Sequence, residues 1–173
     1  MAPGTGRVGV VMPNGVLFRG GAEKSIRQCL VEQDQLEAVI GLPPNLFYST
    51  TIPACLLIFR ATKPAERQGH VLFVDGSARF VKGRKQNQMS EPDIEAVFAA
   101  YHGRNRDDVG VQLVNHGQIK DNGWDLNISR YVNGSVAEAV TVDEALEQLA
   151  AAQASLHEAE ARLAERLKVA GYA

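Results

Sequence analysis

Residues 6–60 constrain the fold most, because short and nearly continuous apolar segments alternate there with turns and a polar helical stretch. Val8, Val10, Val11 and Met12, with Gly9 among them, have the pattern of a strand covered on both faces. Pro13 stops that strand because proline brings no N–H to the ladder, and Asn14-Gly15 turns the chain. Gly20-Gly21 opens a helix over residues 22–32. Ile26, Cys29 and Leu30 share its apolar side, and Glu23, Lys24, Arg27 and Gln28 its polar side. Residues 36–40 form the next strand, closed by Gly41-Leu42-Pro43-Pro44, and residues 52–59 another, again apolar on both faces. The loop 43–51 is short enough for an antiparallel return, so the third strand is expected to run against the others. Residues 70–75 are a further strand, stopped by Gly76-Ser77.

Strand, helix, strand, loop, strand is the unit that builds a sheet with covered faces. The order looks like the back half of a doubly wound α/β domain, in which a cofactor-binding front half would precede Met1. The chain is therefore expected to be a piece of an enzyme without the catalytic residues of the whole, and MAPGT reads as an added start.

Beyond residue 75 the chain turns polar. Residues 81–88 (VKGRKQNQ) form a basic loop. Ser90-Glu91-Pro92-Asp93 has the form of a capping box and opens a helix carrying Ile94, Val97, Phe98 and Tyr101. Residues 103–110 are a charged loop, 111–115 a short strand and 117–122 a short helix. Thr141 and Glu144 make a second capping box, and no Gly or Pro interrupts the chain from there to residue 170. That predicts a helix of roughly 28 residues, about 40 Å long. Val142, Ala145, Leu149, Ala152, Leu156, Ala159 and Leu163 alternate steps of three and four, the seam of a coiled coil. Leu149, Leu156 and Leu163 are its candidate interface, with packing inside the chain as the plain alternative. Three parts are expected: an α/β half-domain at 6–75, a polar α/β extension at 76–135, and the helix at 141–170.

The net charge of −2 gives no global attraction to nucleic acid or membrane. Locally, residues 60–85 carry seven Lys/Arg against two acidic residues, and residues 141–173 six acidic against three basic. Such patches are usually solvated faces, though a basic one also attracts phosphate backbone. No apolar run approaches the ~20 residues of a membrane helix, and no signal peptide is apparent. Two cysteines far apart, Cys29 and Cys55, fit a reducing cytoplasm. No His/Cys/Asp/Glu cluster has metal-ligand spacing, and Ser49, His70, His102, His116 and His157 suggest no triad. Arg19-Gly20-Gly21 is not a P-loop and reads as a hinge into the helix.

The residues from GRVGVVMPNG through LEAVIGLPPNLFYSTTIPACLLIFR, VLFVDGSARFVKGRKQNQMSEPDIEAVFAAY and WDLNISRYV resemble the modification (M) subunit of type I restriction-modification systems. These are N6-adenine DNA methyltransferases, and the resemblance covers residues 6–132. It implies a Rossmann-like, S-adenosylmethionine-dependent fold with a mixed sheet whose last strand is antiparallel, followed by a long C-terminal helix. It also implies transfer of a methyl group to an adenine flipped out of the duplex. The family's Gly-rich cofactor loop and Asn-Pro-Pro-aromatic motif are not in this chain, and Pro43-Pro44-Asn45 matches the latter by chance. No catalytic residue is therefore assigned, and no cofactor is expected to bind this chain alone.

By the resemblance, Pro13 and Gly15 belong to the strand-end turn bordering the active-site cleft. Phe47 and Tyr48 belong to the loop lining the base pocket, with Phe47 packing on the extruded adenine; the plain alternative for both is loop anchoring. Lys82, Arg84 and Lys85 would contact DNA phosphates, or else form an exposed basic loop. Asn127 and Tyr131 carry no chemical role and are read as packing. Implied partners are DNA, a specificity subunit and a restriction subunit, with no membrane. The isolated fragment is expected to self-associate through its uncovered first strand. The rival reading is a non-catalytic assembly module that docks the specificity subunit through its terminal helix. A third is a self-contained α/β domain.

Overall fold

The computed structural model describes residues 2, 4–48, 50–104, 109–132 and 142–169. The Thr141–Glu144 capping box and part of the charged loop at 103–110 lie outside the described residues or side chains. The chain divides into two compact units, residues 1–135 and 136–173.

The first unit is a five-stranded sheet built from β1 (Arg7–Pro13), β2 (Leu36–Gly41), β3 (Ala54–Arg60), β4 (His70–Asp75) and β5 (Gly110–Asn115), in the order β1-β3-β2-β4-β5. β3 runs antiparallel to both neighbours, β2 and β4 are parallel, and β5 is antiparallel to β4. β3 starts at Ala54 rather than at Ile52, because Pro53 cannot donate to the ladder. The helices are α1 (Ala22–Glu32), α2 (Glu91–Tyr101), α3 (His116–Asp121) and α4 (Ile128–Tyr131). Asp93 accepts the Ser90 N–H at 2.9 Å and so closes the box that starts α2. The Ser90 hydroxyl, which donates to the same carboxylate oxygen, and then that N–H hold the Asp93 carboxyl below the usual carboxylate range.

Alternation along the central strands sorts side chains to two cores. Val39, Val71 and Phe73 pack with Leu17, Val31, Ile119, Trp124, Leu126 and Ile128 on one face. Ala38, Ile40, Leu72 and Val74 pack with Val97, Ala100 and Tyr101 of α2 on the other. Sheet and core thus run across residue 76, and the segment 124–132 closes the first core. Tyr131 stacks on Phe73 with ring centroids 4.5 Å apart, and its hydroxyl donates to the Asp125 carbonyl. Packing is the structural role of this segment.

Three local expectations differ from the structure. β1 is not covered on both faces: it is the edge strand, and Val8 and Val11 are exposed. Helix α1 is rotated from its apparent amphipathic face, with Ile26 58% exposed and Arg27 only 6% exposed. The Arg27 guanidinium reaches inward to the carbonyls of Val16 (2.8 Å) and Trp124 (3.0 Å), so its stem is buried while Ile26 and Cys29 stand outside. On α2, Ile94 and Phe98 are likewise exposed, and Val97, Ala100 and Tyr101 are the buried residues.

A charge lies at the base of β2. Register shifts between Leu36 and Ala38, a bulge that places Glu37 opposite no single residue of β3. Its carboxylate meets Arg60 at 3.2 Å and Arg67 at 3.3 Å through Oε1, and Arg7 at 3.7 Å through Oε2. The last distance is an ion pair but longer than a hydrogen bond, and Oε2 has no hydrogen-bond partner among the described residues.

In the second unit, α5 spans Val142–Val169. Leu149, Leu156 and Leu163 are each more than half exposed on it. No helix of the described residues is long and apolar enough to cross a membrane.

Candidate functional site

The register aligns Pro13 with Ala54, Cys55 with Gly41, and Gly41 with Asp75. The carboxyl ends of β1, β2 and β4 therefore form one row across the sheet, with the start of β3 among them. The connections after those strands collect at this end, where open α/β sheets bind ligands. Close packing fixes the row. A Cβ on Gly76 would sit 2.8 Å from the Gly41 carbonyl oxygen and 2.9 Å from Val97, and Asp75 accepts the Ser77 N–H at 3.0 Å.

Pro13 and Phe47 come together here. With Val11, Met12, Thr50, Ile52 and Ala54 they line a pocket of about 170 Å³. Phe47 is 39% exposed, leaving ring surface for a ligand, whereas Tyr48 is 88% exposed and lines no part of the pocket. Gly15 is buried away from it, in the 3-10 turn Asn14–Leu17 that follows β1. A Cβ at Gly15 would meet the Arg19 guanidinium at 2.7 Å, so glycine here permits Arg19 to fold back. Of the four residues assigned to the pocket, the structure brings together two.

The basic loop adjoins this site through hydrogen bonds that the sequence did not disclose. Asn87 donates its backbone N–H to the Asn45 carbonyl at 2.8 Å and its side-chain amide to the Pro44 carbonyl at 2.8 Å. Asn45 returns a bond to the Lys85 carbonyl at 3.3 Å, and the Gln86 side chain donates to the Leu46 carbonyl. Within the loop, Val81 and Gln88 pair as a bridge. Gly83 is required because a Cβ there would lie 1.9 Å from the Gln86 carbonyl oxygen. Lys82, Arg84 and Lys85 are exposed on this framework. The rest of the apparent basic patch is largely spent elsewhere: Arg60 and Arg67 on Glu37, and Lys63 buried against Asp34 at 2.7 Å.

The site offers shape and charge rather than reactive groups. Burial pushes the Cys55 thiol up to about 11, so it stays protonated near neutral pH and is a poor nucleophile. No group of three or more His, Cys, Asp or Glu among the described residues could hold a metal ion. Arg19 folds over Gly15 and lies 3.7 Å from Glu23, while a Cβ at Gly20 or Gly21 would meet nothing within 4 Å. The buried Asn14 side-chain oxygen, just past β1, has no hydrogen-bond partner among the described residues.

The comparisons with known proteins agree on one assignment. The sequence pattern of the N-6 DNA Methylase family matches residues 2–139. The chain belongs to that family. It is 39% identical over 129 residues to the type I restriction enzyme MjaVII methylase subunit of Methanocaldococcus jannaschii, covering 73% of this chain and 22% of that protein. It is 33% identical over 138 residues to the MpnII methylase subunit of Mycoplasma pneumoniae, covering 80% of this chain and 25% of that one. Among solved structures, the methyltransferase subunit of a type I restriction-modification system from Streptococcus thermophilus superposes with a TM-score of 0.68 at 39% identity. That match covers 75% of this chain and 27% of that subunit. The fold is thus that of the family's modification subunits, and the chain spans about a quarter of the length of these relatives.

The group an N-6 DNA methylase implies is S-adenosylmethionine. The residues at the carboxyl row do not fit it: Asp75 already accepts the Ser77 N–H through Oδ1, and the pocket beside Pro13 is lined by apolar side chains and Thr50, with no partner for the cofactor's charged groups. No step involving the cofactor is assigned to this chain.

Proposed function

We infer that the chain is the C-terminal part of a type I modification subunit that transfers a methyl group from S-adenosylmethionine to adenine N6 in DNA. Its own contribution is one wall of the base pocket and a phosphate-contacting loop, not the catalytic residues. The observation that carries this reading is the tie between two loops at the carboxyl row: the loop bearing Phe47 over the Pro13 pocket, and the loop bearing Lys82, Arg84 and Lys85. An aromatic face beside a pocket suits an extruded base, and adjacent cations suit the backbone that base leaves.

The open faces beside β1 and β3 support the reading that a larger sheet continues there. An apolar groove of about 560 Å³ runs between α2 and the strand residues Ile40, Leu56 and Ile58. Another, of about 250 Å³, lies on the opposite face beside Val10, Leu57 and Ile26. Exposed apolar surface on both sides of an edge marks a partner surface. In the intact protein the preceding residues would cover it and hold the cofactor. The exposed leucines of α5 are the surface we assign to the specificity subunit, which would bring the DNA sequence preference and the restriction subunit into the assembly, a cytoplasmic one.

The phosphate role is tested by the salt dependence of duplex DNA binding. Replacing Lys82, Arg84 and Lys85 together by Gln should flatten the slope of log K against log salt by about 3, close to 0.9 per lost phosphate contact. An unchanged slope would remove the loop from the DNA interface.

A further inference from the structure

Asn87 is among the few buried polar residues of the described part of the chain, and its hydrogen bonds lead out of its own loop. Both of its 2.8 Å bonds go to backbone carbonyls of the other loop, at Pro44 and Asn45, only a few residues from Phe47. Asn45 holds the left-handed conformation (φ 53°) that presents its carbonyl to Asn87, and its amide reaches back to Lys85. One of these bonds ends on the Lys85 carbonyl, and another starts from the Asn87 N–H two residues further on. With the Gln86 bond to Leu46, four hydrogen bonds therefore tie the two segments together.

We propose that Asn87 is a positioning residue: it makes engagement of a nucleic-acid phosphate by Lys82, Arg84 and Lys85 steady the Phe47 loop against the flipped base. A loop pinned at Lys85, Gln86 and Asn87 loses freedom when the neighbouring cations are fixed on phosphates, and the bonds to Pro44, Asn45 and Leu46 carry that restriction to Phe47. Base stacking is geometrically demanding, so a steadier ring binds the base without any new contact to it. The inference rests on the DNA reading above but adds a coupling that reading does not require.

The test is amide hydrogen exchange of the 173-residue chain, with and without a short DNA duplex, read separately over residues 45–48 and 81–88. In the wild-type chain the duplex should slow exchange in both segments. Asn87→Asp keeps the shape and the backbone bond but sets an acceptor against the Pro44 carbonyl. Without DNA it should speed exchange over 45–48 about tenfold, the loss of one buried hydrogen bond. With DNA, protection should survive at 81–88 and disappear at 45–48. Asn45→Gly, which suits the left-handed backbone and removes only the bond to Lys85, should lose part of the transmitted protection in a chain that folds normally.

Equal duplex protection of 45–48 in the wild type and Asn87→Asp overturns the proposal. So does wild-type protection confined to 81–88. If the duplex protects neither wild-type segment, the DNA reading itself fails and the coupling falls with it. A tenfold difference in the DNA-free samples would then show only a structural clamp.

Discussion

Glu37→Gln should destabilise the 1–135 unit by about 3 kcal/mol, and Glu37→Ala by somewhat more. The carboxylate is 2% exposed at its side chain and faces Arg7, Arg60 and Arg67. Removing one side of a buried ion pair leaves uncompensated charge in a poorly solvated place. Three guanidinium groups lose their counter-charge together, and Arg67 also lies over the Tyr101 ring, 4.9 Å from its centroid. Arg7 and Arg60 are partly exposed and can turn to water, which keeps the figure at the low end. Equilibrium urea unfolding measures it directly. A loss below about 1 kcal/mol would mean that the cluster behaves as a surface pair.

Arg27→Met should cost about 3 kcal/mol, on the order of 10 °C in Tm, although it replaces a cation by an apolar side chain of similar length. The guanidinium is the hydrogen-bond donor to the carbonyls of Val16 and Trp124, and methionine leaves both buried oxygens with less than they need. Trp124 sits at φ 64°, a conformation rare for a bulky residue, and the bond from Arg27 holds that turn in place. Burial lowers the Arg27 pKa while Asp125 and Glu23 oppose the shift. If Arg27→Met were neutral in thermal unfolding, helix packing rather than these bonds would fix the join between α1 and the 124–132 segment.

These two residues also mark where the sequence stopped being readable. The strand positions and α1 followed from apolar runs punctuated by Pro13, Gly21 and Gly41, and the antiparallel β3 from the short loop before it, because such signals are local; the order of the strands across the sheet did not. Which way α1 faces is not local. Its most regular apolar trio includes Ile26 and Cys29, but two carbonyls supplied by residues 16 and 124 recruit Arg27 inward. Glu37 drew no notice within its strand, because its partners lie at residues 7, 60 and 67.

At the site, Pro13 and Phe47 were found through a family resemblance. Gly15 and Tyr48 came with them, because a motif names neighbours without saying which way each side chain points. Asn45, Gln86 and Asn87 were missed. Their signal, a polar cluster after Arg84-Lys85 opposite a Pro-Pro-Asn turn, gains meaning only when loops 40 residues apart meet.

On the function proposed above, this chain is a pocket wall of a larger DNA adenine methyltransferase. The most direct test is transfer of labelled methyl groups from S-adenosylmethionine to adenine in duplex DNA. It compares the 173-residue chain with the same chain extended by its upstream reading frame, each with the specificity subunit. The expected result is no transfer by the 173-residue chain and transfer by the extended protein. Phe47→Ala should lower the latter on the order of tenfold, from lost base stacking. Methyl transfer by the 173-residue chain alone, or an extended protein indifferent to Phe47→Ala, would contradict the proposed function.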